Sequence, residues 1–187
     1  PSSGPSSTAA THSDFKRGLH VMPIRGTLFG LGGPHMENPS FVVLAQNKKG
    51  IDVTTVGNCL CGSIEVTCDS EPSEIIACHC TSCQAATGGV ATYNIVMPET
   101  SCRVSKGTPK KFVENADSGE SLERFFCGDC GSPIYSATPT FAGHLIIKAG
   151  LFLGLKNLKI VTNIFTKSAP EWAPRQKGIP ESEGMPG

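Results

Sequence analysis

With 187 residues, 39% of them apolar, the chain fits a soluble globular domain with its own hydrophobic core. Lys plus Arg balances Asp plus Glu at 16 each and Trp occurs once, which argues against a nucleic-acid binder, since that needs a basic excess and stacking rings. No apolar run approaches the roughly 20 residues of a membrane span, so no membrane partner is expected.

Residues 1–40 differ from the rest. PSSGPSSTAATHSD is rich in Ser, Pro, Thr and Ala, and the stretch from Phe15 to Met36 carries three basic residues and no acidic one. The expectation is a disordered or vector-derived leader over 1–40, with a native start near Met36 after the vector-like Gly33-Pro34-His35. His12, His20 and His35 therefore receive no role.

From Phe41 to the end, short runs rich in Val, Ile, Thr and Phe alternate with Gly, Pro, Asn, Asp and Ser. In chain order they are FVVLA, IDVTTV, SIEVTC, EIIACHC, VATYNIVM, CRVSKG, KFVEN, LERFFC, PIYSA, HLIIKAGLF and KIVTNIFTK. This pattern predicts a mainly β fold. No long segment shows apolar residues at i, i+3 and i+4, so helix is confined to about one turn at Gln84–Thr87, stopped by Gly88 and Gly89. The tail after Trp172, rich in Pro and Gly, is expected to wrap the surface.

Seven of the nine cysteines fall in three clusters: Cys59 and Cys61, then Cys78, Cys80 and Cys83, then Cys127 and Cys130. Disulfides are the competing explanation. An odd count leaves one cysteine over, no secretory signal with a long apolar stretch is visible, and cysteines one residue apart cannot easily meet disulfide geometry. Metal ligation in a reducing compartment, hence a cytoplasmic location, is the stronger reading.

Cys127-Gly128-Asp129-Cys130-Gly131 has the form of a zinc knuckle, and Gly57-Asn58-Cys59-Leu60-Cys61-Gly62 is a shorter relative. Glycine in and after such turns permits positive φ and lets backbone N–H groups approach sulfur. Each pair supplies half of a tetrahedron. Together they make a four-cysteine structural site closing a long loop. A redox dithiol is the alternative for the C-x-x-C pair, but it lacks a βαβ setting.

Cys78, Cys80 and Cys83 then remain as a three-thiolate set with an open fourth position. His79 lies between two ligands and would tend to point away, and Cys68 and Cys102 each sit in a β-like run where a buried free cysteine is the common outcome. Three thiolates blunt the Lewis acidity of zinc but suit it to a soft ligand such as a substrate thiol. Zinc deaminase chemistry is excluded, because its H-x-E and P-C-x-x-C pairing is missing.

The order GNCLCGSIEV, ACHCTSCQAATGG, FFCGDCGSPIYS and FTKSAPEW resembles the family of glutathione-dependent formaldehyde-activating enzymes, which includes the centromere protein V domain. The likeness runs from about Val56 into the tail, so residues 41–187 are expected to form one zinc-binding domain of this type. It implies a β-tent of antiparallel sheets and two zinc ions per chain. Structural zinc would sit on Cys59, Cys61, Cys127 and Cys130, and catalytic zinc on Cys78, Cys80 and Cys83. The implied activity is that of a carbon–sulfur lyase joining a glutathione-like thiol to a small carbonyl such as formaldehyde. Two alternatives stand beside it: a non-catalytic zinc module for protein interaction, and a relative acting on another electrophile. Lys167 and Trp172 match family positions, though surface charge and core packing explain them as well. His144 is expected at a strand end rather than on a metal.

Overall fold

The structure is a computed structural model that describes residues 41–47, 50–116 and 119–186, with side chains from Thr54 onward. The expected leader lies outside the described residues.

Among the described residues eleven strands form, one in each of the apolar runs. They are β1 (Phe41–Asn47), β2 (Gly50–Asn58), β3 (Glu65–Cys68), β4 (Glu74–Cys78), β5 (Thr92–Pro98), β6 (Cys102–Lys106), β7 (Lys110–Asn115), β8 (Ser121–Phe126), β9 (Pro133–Ala137), β10 (His144–Lys148) and β11 (Lys159–Ile164). Helix α1 spans Thr81–Thr87, longer than the single predicted turn, because Cys80 caps it: the Cys83 N–H donates to Cys80 Sγ. Gly88 ends it at φ 64°. His144 opens β10 and is exposed, as a strand-end residue.

The strands make two sheets, ordered β1-β2-β3-β6 and β11-β4-β5-β10-β9-β8-β7. All pairs are antiparallel except β4 with β11, which run parallel. A parallel pair needs a long crossover. Here the chain between β4 and β11 builds the rest of the larger sheet.

Alternation along each strand sends neighbouring residues to opposite faces of that sheet. Ile75, Ile95 and Ile147 face the main core, with Ile64, Val66, Ile134, Leu151 and Phe152. Ile76, Asn94, Val96, Ile146 and Lys148, one residue away, face a cavity of about 430 Å³. The larger sheet thus separates a packed core from an open pocket.

Cys68 and Cys102 are not free. They face each other across the β3–β6 register with Cα atoms 4.2 Å apart and form a disulfide. The expectation of buried free thiols fails because it judged each run singly, whereas strand pairing brings two residues 34 apart into direct opposition. Core packing also fails for Trp172, which is 77% exposed.

The tail docks on the end of β11. Asn163 N–H donates to the Pro180 carbonyl, Ser182 N–H to Asn163, and Thr166 N–H to Ser182. Gly184 and Met185 thereby reach the cavity wall. Among the described residues, no helix is long and apolar enough to cross a membrane.

Candidate metal centres and cavity

The two Gly-flanked cysteine pairs fold alike. Cys59 N–H donates to the Ile64 carbonyl at 3.0 Å, and Cys127 N–H to the Ser132 carbonyl at 2.8 Å, five residues on in both cases. Gly62 and Gly131 close the turns at φ 72° and 74°, where a Cβ would be strained. Leu60 N–H donates to Ser132 Oγ, linking one turn to the other. Ile64 N–H donates to Cys59 Sγ, the kind of bond that stabilises a ligating thiolate.

The turns bring Cys59, Cys61, Cys127 and Cys130 together, with all four sulfurs within 4.8 Å of one another. Cys59 and Cys61 sulfurs are 3.5 Å apart, and those of Cys61 and Cys127 3.7 Å. A tetrahedron with metal–sulfur bonds of about 2.3 Å has edges of about 3.8 Å, so a zinc-sized ion fits this donor set. Burial pushes the Cys127 thiol up to about 11. At Cys130 burial is outweighed by hydrogen bonds from Ser132, which bring it down to about 6. Cys59 and Cys127 are each 1% exposed and belong to the main core, so this centre is part of the packing.

Cys78, Cys80 and Cys83 form the second group, their sulfurs likewise within 4.8 Å. Cys78 ends β4, Cys80 caps α1, and Cys83 lies in its first turn, so the strand-to-helix junction converges the three. Among the described residues no further His, Cys, Asp or Glu joins this set. His79 is buried and turned away, its ring nitrogens 3.2 Å from the Val90 carbonyl and from Asn163 Oδ1. Hydrogen bonds from the Cys78 and Cys80 thiols hold Cys83 far below the usual thiol range, aided by Thr92 and the Lys148 charge. The same crowding by Cys80 and Cys83 pushes Cys78 up. Without metal the three thiols share their protons as one hydrogen-bonded set. A divalent ion would displace the remaining protons.

The second group opens into the cavity that the larger sheet lines, and two cations stand beside it. Arg124 Nη2 lies 4.0 Å from Cys83 Sγ and donates to Ser82 Oγ at 2.8 Å, while Arg124 Nε donates to Glu114 Oε1 at 2.6 Å. Ser82 Oγ donates in turn to Glu114 Oε1. Burial works against the Arg124 charge, but Glu114 and Cys83 outweigh it and raise its pKa. Lys148 is 7% exposed, and its Nζ donates to Asn94 Oδ1 at 2.8 Å. Burial brings its pKa down to about 8. Three thiolates and a divalent ion carry a net charge of about −1, which Lys148 is placed to balance. Lys167 also lines the cavity, whereas among the described residues no carboxylate does.

A family model described as glutathione-dependent formaldehyde-activating enzyme matches residues 54–168. The chain belongs to this family. The matched span contains all seven clustered cysteines together with Arg124, Ser136 and Lys148. An uncharacterized lyase of Schizosaccharomyces pombe is 25% identical over 115 residues, covering 62% of this chain and 80% of that protein. Among solved structures, a Rhodobacter sphaeroides protein is similar at 16% identity and a TM-score of 0.45, covering 68% of this chain and 98% of that one. Membership of the formaldehyde-activating family, with a lyase among its relatives, supports a lyase at family level.

Arg124, Lys148, Asn94 and Ser136 were absent from the sequence-based site. A signal existed in the charged residues inside apolar runs, Arg124 in LERFFC and Lys148 in HLIIKAGLF. Such residues on a half-buried strand face a solvent, a partner or a cavity.

Proposed function

We propose that this member of the formaldehyde-activating family is a zinc-dependent carbon–sulfur lyase. Cys59, Cys61, Cys127 and Cys130 would hold a structural zinc, and Cys78, Cys80 and Cys83 a catalytic one. The substrate would be a glutathione-like thiol, added to or released from a small carbonyl such as formaldehyde. A zinc ion on three thiolates supplies a site for a soft fourth ligand and lowers the pKa of a thiol bound there.

The observation that carries this reading is the contrast between the two cysteine sets. Of the four thiols, Cys59 and Cys127 are buried in the main core and Cys61 and Cys130 pack against it, whereas the other three line a cavity with cations and no carboxylate among the described residues. Among the described residues a protein plug for a fourth position is not at hand, since His79 is turned away and Cys68 and Cys102 are joined. The chain's own residues would attract and orient an anionic sulfur: Arg124 and Lys148 provide positive potential, and the apolar wall of Ile76, Val96, Leu122 and Ile146 strengthens it by excluding water.

Metal analysis of the purified chain and of Cys83→Ser tests this. Two zinc ions are expected in the wild type and one in the folded variant, with hemithioacetal formation from glutathione and formaldehyde accelerated above the uncatalysed rate by the wild type only. A wild-type content of one zinc removes the catalytic site. Two zincs without acceleration of adduct formation for any small aldehyde remove the activity and leave the metal sites standing.

A further inference from the structure

We propose that Ser136 and Lys148 form a donor pair that receives the carbonyl oxygen of the electrophile as the thiol adds to it. This rests on the thiol-addition reading of the cavity and assigns it the groups that hold the second substrate.

Ser136 is 2% exposed and lines the cavity, and among the described residues its Oγ has no hydrogen-bond partner. A buried polar group left unpaired is unfavourable, because it has lost its hydrogen bonds to water without gaining others. An alanine would avoid that cost, so the hydroxyl is suited to a partner that arrives with the ligand. Lys148 supports the same conclusion independently. An ammonium has three donors, and the bond to Asn94 uses one.

The sheet places the two groups together. Ser136 pairs with Ile146 across β9 and β10, and Lys148 lies two residues further along β10, on the same face. Diagonal neighbours of this kind are about 7–8 Å apart at the backbone, a span that one ligand oxygen bridges between a short hydroxyl and a long lysine. On the other side Ser136 pairs with Arg124, the residue at Cys83. The row Arg124, Ser136, Ile146 and Val96 therefore runs across the cavity floor from the cluster's cation to the apolar wall.

When a thiol adds to an aldehyde, the S–C bond forms and the π pair of C=O moves onto oxygen. That oxygen takes up the proton the thiol loses. R–SH and R′–CHO thus give R–S–CH(OH)–R′, with no oxidant or reductant. Charge leaves sulfur and appears on oxygen, so donors fixed at the oxygen lower the barrier more than they strengthen thiol binding.

The test uses the metal-loaded full chain with glutathione and formaldehyde. Ser136→Ala is expected to lower kcat about 10²-fold, the usual effect of removing one such donor, with KM for glutathione and metal content unchanged. Ser136→Thr, which keeps the hydroxyl, should recover most of the rate. In the cobalt-substituted protein, the absorption change on adding glutathione should be the same for wild type and Ser136→Ala. Acetate serves as an inert oxygen anion, and its binding should weaken at least about tenfold in Ser136→Ala and in Lys148→Met. An unchanged kcat in Ser136→Ala, equal losses in Ser136→Ala and Ser136→Thr, or acetate binding indifferent to both variants overturns the proposal. A wild-type cobalt spectrum unmoved by glutathione overturns the thiol reading instead, and the acetate measurement still reads the donor pair.

Discussion

Glu114 holds Arg124 beside Cys83: the guanidinium is 2.6 Å from Glu114 Oε1 through Nε and 4.0 Å from Cys83 Sγ through Nη2. Glu114 comes from β7, Arg124 from β8 and Cys83 from α1, and Ser82, next to Cys83 on α1, bonds to both Glu114 and Arg124. An outer network of this type tunes a ligating sulfur without touching the metal. Glu114→Gln should therefore keep the fold and both metals at saturation, but weaken the second metal by about 10–100-fold. Competition with a graded chelator measures this. Arg124→Lys should not substitute for arginine, because a lysine cannot serve Glu114, Ser82 and Cys83 from one planar fork. Unchanged metal affinity in Glu114→Gln counts against the network.

The two centres should fail differently. Cys127 and Cys61, whose sulfurs are in contact, lie 66 residues apart, and their set sits in the main core. Structural zinc contributes about 10–16 kcal/mol of apparent binding energy, as much as a domain's whole net stability of about 5–15 kcal/mol. Cys127→Ser should leave the chain largely unfolded by circular dichroism and hydrogen exchange. Cys83→Ser removes a thiol that faces the cavity and, on the proposed reading, one metal ligand, so its melting temperature should stay within roughly 10 °C of wild type while one metal is lost. Equal unfolding of both variants defeats the distinction.

The Cys68–Cys102 bond closes a loop of 34 residues between adjacent strands of the smaller sheet. Loop-closure entropy for that length is worth about 3–4 kcal/mol. Replacing both residues by alanine should lower stability by about that amount, plus a small cavity cost, without altering metal content. Denaturant titration of oxidised and reduced protein checks it. A reduced protein as stable as the oxidised one rules the contribution out.

What could be read from the sequence follows from how local each signal is. The strands were legible because each is a short β-branched run between turn formers, as in EIIAC and TYNIVM. The cysteine sets were legible because spacing within a turn groups its sulfurs and leaves two half-sets to complete one another, and the structure brings those sulfurs together. The parallel pairing of β11 with β4 and the facing of Cys68 and Cys102 depend on partners far along the chain, which no single run records. The cavity side chains were hidden for a related reason. β5 and β10 are covered on one face by the core and line the pocket with the other, so Asn94 and Lys148 stand beside Ile95 and Ile147 in runs that read as apolar throughout. Ser136 carries no sequence signal, since an unpaired hydroxyl shows only when its neighbours are in place.

Lys148 gives the pH dependence a definite sign. Burial lowers its pKa to about 8 from the ordinary value near 10.5, so the folded metal-free chain binds this proton less readily than the unfolded one. Stability from this group is then fully present above about pH 10.5 and is lost as pH falls through about 8. At pH 7 the buried ammonium costs on the order of 3 kcal/mol, taking about 1.4 kcal/mol per pKa unit. Lys148→Met fills similar volume without the charge. In chelator-treated protein it should be more stable than wild type by up to that amount at pH 7, and the difference should close between pH 8 and 10.5. Taking the difference between the two proteins cancels titrating groups that Lys148 does not touch, while Cys83, which feels its charge, stays coupled to it. Urea unfolding of both chelator-treated proteins across pH measures the gap and its pH dependence. A gap independent of pH means that burial does not depress the Lys148 pKa.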